Sequence, residues 1–324
     1  MMSIHHFFYW CFMTSIHTNA GAIAALQTLR SIGSDMQQVE AQVSSGLRIR
    51  LASDDAAYWA IAITMRSDTK AISAVQDALG LGAAKVDVAY AGTEAIVDLL
   101  RQFKARLVAA KEEGVDSSKI QGELKQLNAQ AERVVASSSF NGINWLQTSA
   151  ATHLTRTSDL SSSVVSSFVR SQDGVVAVNT TNVDLTLTSM LNSGGGGILQ
   201  KGFVDVNNTR PDPEYAPEFD LAEIDVTASS FTVDDYITGV EHMLKGAISS
   251  ASMLGALQAR IDIQNEFASR LSNAIDRGIG RLVDADMNEA STRLKALQTQ
   301  EKLGLQALSI ANANAENILQ LFGR

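Results

Sequence analysis

Proline is scarce in this 324-residue chain, and its placement predicts long helices. The sequence contains three prolines, against a usual share of about 5%. All three lie between residues 211 and 217. Because proline breaks the interior of a helix, the long stretches on either side of this patch can be helical without interruption.

Aromatic residues are few as well. They make up 6% of the chain, whereas hydrophobic residues make up 45%. The apolar side chains are therefore mostly Ala, Leu, Ile and Val, which are typical of seams between packed helices. This composition favours extended helical packing over a bulky globular core.

Other absences exclude several classes of protein. The single cysteine, Cys11, excludes an intramolecular disulfide and a CxxC metal site. No apolar run approaches the roughly 18 residues that mark a membrane-spanning helix, so we expect no membrane insertion. The net charge is −9 without a block of like charges, which gives no electrostatic footprint for nucleic acid.

No combination of residues indicates catalysis. GLGAAK (80–85) lacks the spacing of a phosphate-binding loop. His17, His153 and His242 are scattered, without the HExxH motif of a zinc hydrolase, and no G-x-S-x-G nucleophile motif occurs. We predict no catalytic, cofactor-binding or metal-binding residues, and a protein that is not an enzyme.

Apolar residues spaced by three and four predict an amphipathic helix from Ala20 to Val43. The sequence Ser-Ser-Gly at residues 44–46 interrupts this helix. Another helix is predicted for residues 117–136. The stripe of the first helix includes Ile23, Leu26, Leu29, Ile32 and Met36.

Between these two helices lies a longer helical pattern. It is predicted to begin at Ser53 as the N-cap, with Asp54 and Asp55 in the first turn, where carboxylates favour the positive end of the helix dipole. It ends near Gly114. Three glycines lie inside it, at positions 80, 82 and 92, and either close packing or a local bend would explain them.

The sequence between residues 137 and 232 predicts short strands. Asn141-Gly142 is a strong signal for a tight turn. Three β-prone runs follow, SVVSSFV (163–169), GVVAV (174–178) and VDLTLT (183–188), separated by turn-forming residues. We predict a small β-rich insert between two helical regions.

A capping box of Thr232 and Asp235 opens a further long predicted helix. The helical pattern resumes at Met287 and runs almost to the last residue. Because both chain ends carry apolar stripes and are short of partners within one subunit, we expect them to be buried against neighbouring copies. The C-terminal stripe includes Leu294, Leu297, Leu305, Leu308, Ile318 and Phe322.

Long segments at both ends resemble the bacterial flagellins, specifically the rhizobial and alphaproteobacterial type. The N-terminal segments are MTSIHTNAGAIAALQTLRSI from Met13 and VSSGLRIRLASDDAAYWAIAITMRSD. The C-terminal segment is RLVDADMNEASTRLKALQTQEKLGLQALSIANANAENILQLFGR. Together the similar regions cover about residues 13–148 and 234–324. The first twelve residues have no counterpart, and we expect Met13 to be the natural start.

The resemblance implies a mainly α fold of long antiparallel helical rods, a coiled coil formed by the N- and C-terminal regions, with a small β-rich insert domain. Residues 1–12 would be an N-terminal extension outside the family pattern. The ranges 13–46 and 286–324 would form the inner filament core. The ranges 47–148 and 234–285 would form a helical rod domain, and 149–233 a variable, surface-exposed insert.

The resemblance also implies a function. The chain would be a structural subunit of the flagellar filament, exported by the flagellar type III apparatus and self-assembling outside the cell into a propeller for swimming. Its partners would be other flagellin subunits, an export chaperone, and the filament cap and junction proteins. The alternatives are a hook–filament junction protein and a flagellin-like cell-surface binding protein.

Flagellins are also ligands of innate immune receptors. Residues 41–62 align with the segment that plant receptors recognise, although Tyr58 and Trp59 replace smaller or aliphatic residues. The helix equivalent to the vertebrate receptor's epitope, about 94–112, departs from the family pattern, so weak activation is expected. The positions that follow the plant-receptor pattern include Ser45, Gly46, Arg48, Ile49, Asp54 and Asp55.

Overall fold

The computed structural model describes residues 18–154, 160–171, 175–203, 218–228 and 231–322. Long helices dominate these residues, which confirms the mainly α fold. The predicted Met13 start and the proline patch lie outside the described residues. The α-helices are α1 (Ala20–Ser45), α2 (Ala56–Ala109), α3 (Ser117–Ser137), α4 (Val233–Val283) and α5 (Met287–Phe322).

The chain divides into two compact units. The first combines the N-terminal residues up to Ser67 with the C-terminal residues from Ile275. The second comprises residues 68–274 and contains the strands. Two distant parts of the sequence therefore fold together in the first unit, and the intervening chain folds as the second.

The N-terminus of α2 differs from the prediction at one residue. Asp55, not Ser53, is the N-cap, because its carbonyl accepts the first helical hydrogen bond from Trp59 N at 3.0 Å. Its side chain accepts hydrogen bonds from Ala57 N and Tyr58 N at 3.0 and 3.1 Å. Ser53 lies in the preceding turn. The predicted C-terminal boundary is also late, because α2 ends at Ala109 and turns lead to Gly114.

The core of the second unit forms between α2, α3 and α4. Leu100 and Phe103 of α2, Leu124 of α3 and Val240 of α4 are almost completely buried in one cluster. Trp145, in the connection after α3, joins the same cluster at 2% exposure. Val164 and Val183 belong to it too, so the strands share this core rather than forming one of their own.

The strands are short except for one hairpin. Asn141 and Gly142 both have positive φ, 51° and 77°, as a type I′ turn requires, and this confirms the predicted tight turn. The strands are β1 (Ser139–Phe140), β2 (Ile143–Asn144), β3 (Gln147–Thr148), β4 (Ser161–Arg170), β5 (Val176–Asp184), β6 (Leu191–Asn192), β7 (Gly202–Phe203) and β8 (Glu218–Phe219).

The long hairpin pairs β4 with β5 in antiparallel register, with a bulge at Ser166. The predicted run SVVSSFV lies within β4. The prediction for VDLTLT was wrong after its second residue, because β5 ends at Asp184 and residues 185–188 form turns. Asp184 stops the strand because its carboxylate accepts hydrogen bonds from the Thr186 backbone N and hydroxyl, at 2.9 and 2.6 Å. This local bonding competes with the sheet.

Two of the three glycines inside α2 mark close contacts. A methyl group on Gly82 would overlap the Val164 side chain of β4, and one on Gly92 would overlap Ser138 and Leu146. Nothing lies within 4 Å of the corresponding position at Gly80. Close packing, of the two explanations left open by the sequence, therefore accounts for Gly82 and Gly92, and the neighbours are a strand and a loop.

Candidate assembly surface

The two terminal helices pack against each other in the first unit. Asn19 caps α1, because its Oδ1 accepts a hydrogen bond from Ala22 N at 3.0 Å. Its Nδ2 donates to the carbonyl of Ala311 in α5 at 2.9 Å. One side chain thus both begins α1 and fixes it beside the distant C-terminal helix.

A narrow apolar seam joins α1 to α5. Ile32 and Val39 of α1 and Leu297 of α5 are buried together, at 9%, 3% and 7% exposure. Met36, Val43 and Leu294 pack around them and are partly buried. The structure therefore brings together four of the predicted seam positions, Ile32, Met36, Leu294 and Leu297.

Gly304 of α5 lies close to Leu29 of α1 along this seam. A methyl group at Gly304 would lie 2.8 Å from Leu29 Cδ2, so the missing side chain leaves room for the leucine. Leu29 and Leu308 are each half-buried. Ile318 and Phe322 lie within α5, but their side chains are outside the described part of the chain.

The other predicted seam residues face away from this contact. Ile23, Leu26 and Leu305 are exposed by 47%, 43% and 55%. Leu303 and Ile310, which the sequence argument did not select, are exposed by 59% and 64%. Their signal was present, since α5 carries apolar residues around more of its circumference than one seam needs, and such helices are usually buried on several sides.

A short strap closes the first unit at the other end of these helices. Gly46 ends α1 in the left-handed conformation, with φ of 72°, and its carbonyl accepts a hydrogen bond from Ala285 N at 2.9 Å. Arg48 N donates to the Val283 carbonyl at 2.7 Å. Leu47 and Asp284 form an antiparallel bridge. The break after α1 is therefore bonded to the break between α4 and α5.

Family models match both helical regions of this chain. The bacterial flagellin N-terminal helical region matches residues 16–151, and the bacterial flagellin C-terminal helical region matches residues 237–322. The chain belongs to the bacterial flagellin family. It is a structural subunit of the flagellar filament, an extracellular appendage, and it polymerises with copies of itself.

Several flagellins are similar to this chain over nearly its whole length. Flagellin D of Rhizobium meliloti (strain 1021) is 43% identical over 405 aligned residues, which cover 96% of this chain and all of the relative. Flagellin C of the same strain is 45% identical over 327 residues, covering 96% of this chain and 99% of the relative. A flagellin of Brucella melitensis biotype 1 is 40% identical over 311 residues, with 96% and 99% coverage.

In this flagellin the positions that follow the plant-receptor pattern lie in and around the strap. Ile49 is 5% exposed and packs with Ala62, Ile279 and Val283. Ser45 Oγ donates to the Ala41 carbonyl at 2.7 Å and accepts from Leu47 N at 3.2 Å. These bonds and the burial of Ile49 hold part of the segment within the folded subunit.

The acidic end of that segment supports the start of α2. Asp54 accepts hydrogen bonds from Arg50 N and Leu51 N, at 2.9 and 3.1 Å. These backbone donors hold the pKa of the Asp54 carboxyl below its usual value. Asp55 caps α2, as described above. Both carboxylates therefore have structural partners within this subunit. None of the helices in the described residues is long and apolar enough to cross a membrane.

Proposed function

We propose that this flagellin polymerises through the apolar side chains that the α1–α5 pair leaves exposed. The observation that supports this is the exposure of Leu26 by 43%, Leu303 by 59% and Ile310 by 64% on helices whose buried apolar residues form a seam. An apolar set of this kind on a soluble subunit marks a surface for protein contact. Neighbouring subunits would cover it.

In this proposal residues 13–46 and 286–324 form the inner core of the filament. Residues 47–148 and 234–285 form the rod layer around it, and 149–233 face outward. The subunit acts as a structural element and catalyses no reaction. Export through the flagellar type III apparatus would deliver it to the cap at the growing tip, with a chaperone before export and junction proteins at the filament base.

Recognition by plant receptors is a further proposal, which the sequence of residues 41–62 supports. Because Ile49 is buried and Arg48 N bonds to Val283, the segment has to leave the folded subunit before a receptor can bind it as an extended peptide. Recognition would therefore follow cleavage of the subunit.

Growth from filament seeds tests the assembly surface. Purified subunits of Leu303→Asp should keep the helix content of the unaltered protein, because this side chain is already exposed, but should not extend seeds into long filaments. Gln298→Asp, at an exposed position on another face of the same helix, introduces the same charge and should extend them. Electron microscopy scores both variants.

Two results would contradict the proposal. Leu303→Asp subunits that grow filaments as long as the unaltered protein would show that this surface is not required. Rings or short caps from the unaltered protein would instead indicate a junction role.

A further inference from the structure

A polar cleft of about 230 Å³ opens in the second unit. It lies where α3, β3, β6 and the two 3-10 turns Ile198–Gln200 and Leu221–Glu223 meet. Sites for drug-sized ligands are typically about 300–1,000 Å³. A cleft of this size therefore suits one small ring and not a long ligand.

The floor of the cleft is fixed by a buried hydrogen-bond network. The Thr148 hydroxyl lies 2.8 Å from that of Ser189 and donates to Asn192 Oδ1 at 3.1 Å. Asn192 N donates to Gln200 Oε1 at 2.9 Å. Thr148, Ser189 and Asn192 are all at least nine-tenths buried. The walls are therefore held in place before any ligand enters, which lowers the entropic cost of binding.

The two carboxylates in the cleft have spare capacity to accept hydrogen bonds. Glu132 accepts one, from Asn128 Nδ2 at 2.9 Å, and Asp220 accepts one from Gln200 Nε2 at 3.5 Å and one from the Leu221 backbone. A carboxylate offers about four acceptor sites. Both carboxylates can therefore take further bonds from a ligand that brings N–H or O–H donors.

The cleft also carries uncompensated negative charge. Its lining residues include the carboxylates of Asp220 and Glu132 but no lysine or arginine. Burial, and then the nearby charges of Glu223 and Glu132, raise the pKa of Asp220. Each of these effects disfavours the ionised carboxylate of Asp220, and a cation placed beside it would offset them.

Three leucines, Leu191, Leu199 and Leu221, line the cleft together with the carboxylates. Leu191 is half-buried, whereas Leu199 and Leu221 are 1% and 3% exposed, so Leu191 offers most of the apolar surface. A ligand that suits this lining combines hydroxyl and ammonium donors with exposed C–H surface. A bare metal ion has no such surface, and no group of three or more His, Cys, Asp or Glu side chains suited to a metal occurs in the residues that the structure describes.

We propose that this cleft binds an amino sugar. Its ammonium group pairs with Asp220 and Glu132, its hydroxyls bond to the side chains of Gln147 and Ser193, and the carbon face of the ring lies on the leucines. Charge-assisted hydrogen bonds from the ammonium group provide the selectivity, because they are about twice as strong as bonds between neutral groups.

Calorimetric titration of the full chain with D-glucosamine tests this assignment. A ring of about 12 heavy atoms at ordinary ligand efficiency gives a dissociation constant on the order of 1 mM. The buffer is set at about pH 6.5, where an amine of this class is protonated. D-glucose and N-acetyl-D-glucosamine keep the ring but lack the charge, and we expect each to bind about tenfold more weakly.

Two substitutions locate the site. Asp220→Asn and Glu132→Gln keep the side-chain shapes and should each weaken glucosamine binding about tenfold. Glu132 is exposed, so its substitution leaves folding intact. Glu123→Gln, on the same helix but outside the cleft and paired with Arg106 at 3.0 Å, loses the same charge and should bind like the unaltered chain.

Three results would overturn the proposal. They are no saturable binding of glucosamine up to tens of millimolar, on the order of ten times the expected constant, equal binding of glucose, and binding that Glu132→Gln does not weaken. The test concerns dispersed subunits, so its outcome is independent of filament growth.

Discussion

At the scale of single residues, the glycines of α2 show how one missing methyl group positions a strand. Gly82 and Gly92 allow a strand and a loop to approach the helix, whereas Gly80 faces open space. The sequence could place all three glycines in a helix but could not distinguish them, because the neighbours that separate them are distant in sequence. Val164 is 82 positions away from Gly82.

Alanine substitutions at these glycines should change the free energy of unfolding in opposite directions. Gly82→Ala should destabilise the second unit by about 1–3 kcal/mol, because the new methyl group overlaps Val164. Gly80→Ala should stabilise it by about 0.5–1 kcal/mol, because alanine favours the helix and meets nothing. Urea unfolding followed by circular dichroism measures both, and two changes of the same sign would contradict the packing argument.

At the scale of elements, helix boundaries were predicted less well than the helices themselves. The periodic apolar pattern predicted α1, α3 and α5 to within a few residues, and the Thr232–Asp235 capping box was confirmed, with Thr232 N donating to Asp235 Oδ2 at 2.9 Å. The start of α2 was displaced because Ser53, Asp54 and Asp55 can all cap a helix. Sequence alone does not decide which of three adjacent capping residues is used.

The cap of α2 provides the test at this scale. Asp55→Ala should destabilise the protein by about 0.5–2 kcal/mol, because Ala57 N and Tyr58 N lose their acceptor. Ser53→Ala, two residues earlier, should change stability by less than about 0.5 kcal/mol, as substitutions at surface positions usually do. Urea midpoints compare the two. A larger loss from Ser53→Ala would place the start of the helix at the residue that the sequence first suggested.

The sequence predicted that this region contains strands, but it did not predict where β5 ends. The turn at Asn141-Gly142 depends on local chemistry, and the sequence identified it. The end of β5 depends on Asp184 bonding to Thr186 instead of the sheet, and an apolar alternation in VDLTLT concealed that competition.

The polar cleft was missed for another reason, because its residues come from separate segments between positions 128 and 222.

At the scale of the whole molecule, folding shifts the pKa of several carboxyl groups away from its usual value. The Ser118 hydroxyl and backbone lower the pKa of Asp116, the Thr227 hydroxyl and backbone lower that of Asp225, and a hydrogen bond from Lys104 lowers that of Glu241. Asp54 has a lowered pKa for the backbone reason given above. Asp220 acts in the opposite sense, since burial raises its pKa.

Taken together, these pKa shifts predict that the folded protein loses stability in acid. A carboxyl with a lowered native pKa contributes stability above its unfolded pKa, near 3.8 for Asp and 4.5 for Glu, and this contribution is lost as the pH falls through the lower native value. Among the carboxyl groups of the described residues, four have lowered pKa values and one, Asp220, has a raised pKa. The urea midpoint should therefore fall between about pH 6 and about pH 3. A midpoint that rises on acidification would show that Asp220 dominates.

The substitution Asp220→Asn isolates the contribution of the one carboxyl group whose pKa is raised. At about pH 7 this substitution should leave stability unchanged or raise it, because it removes a charge that burial disfavours. The acid loss seen in the unaltered chain should persist in this variant.

The strap that bonds residues 46–48 to residues 283–285 has a topological consequence. The chain leaves the terminal helix pair after residue 46 and returns to it near residue 285, and these two points are bonded to each other. The chain between residues 48 and 283 is one continuous segment whose two ends are held together by these hydrogen bonds. The bonds themselves do not depend on the length of that segment. A change in the length of the chain beyond Ala62 and before Ile279, which pack with the strap residues Ile49 and Val283, would therefore leave these bonds in place.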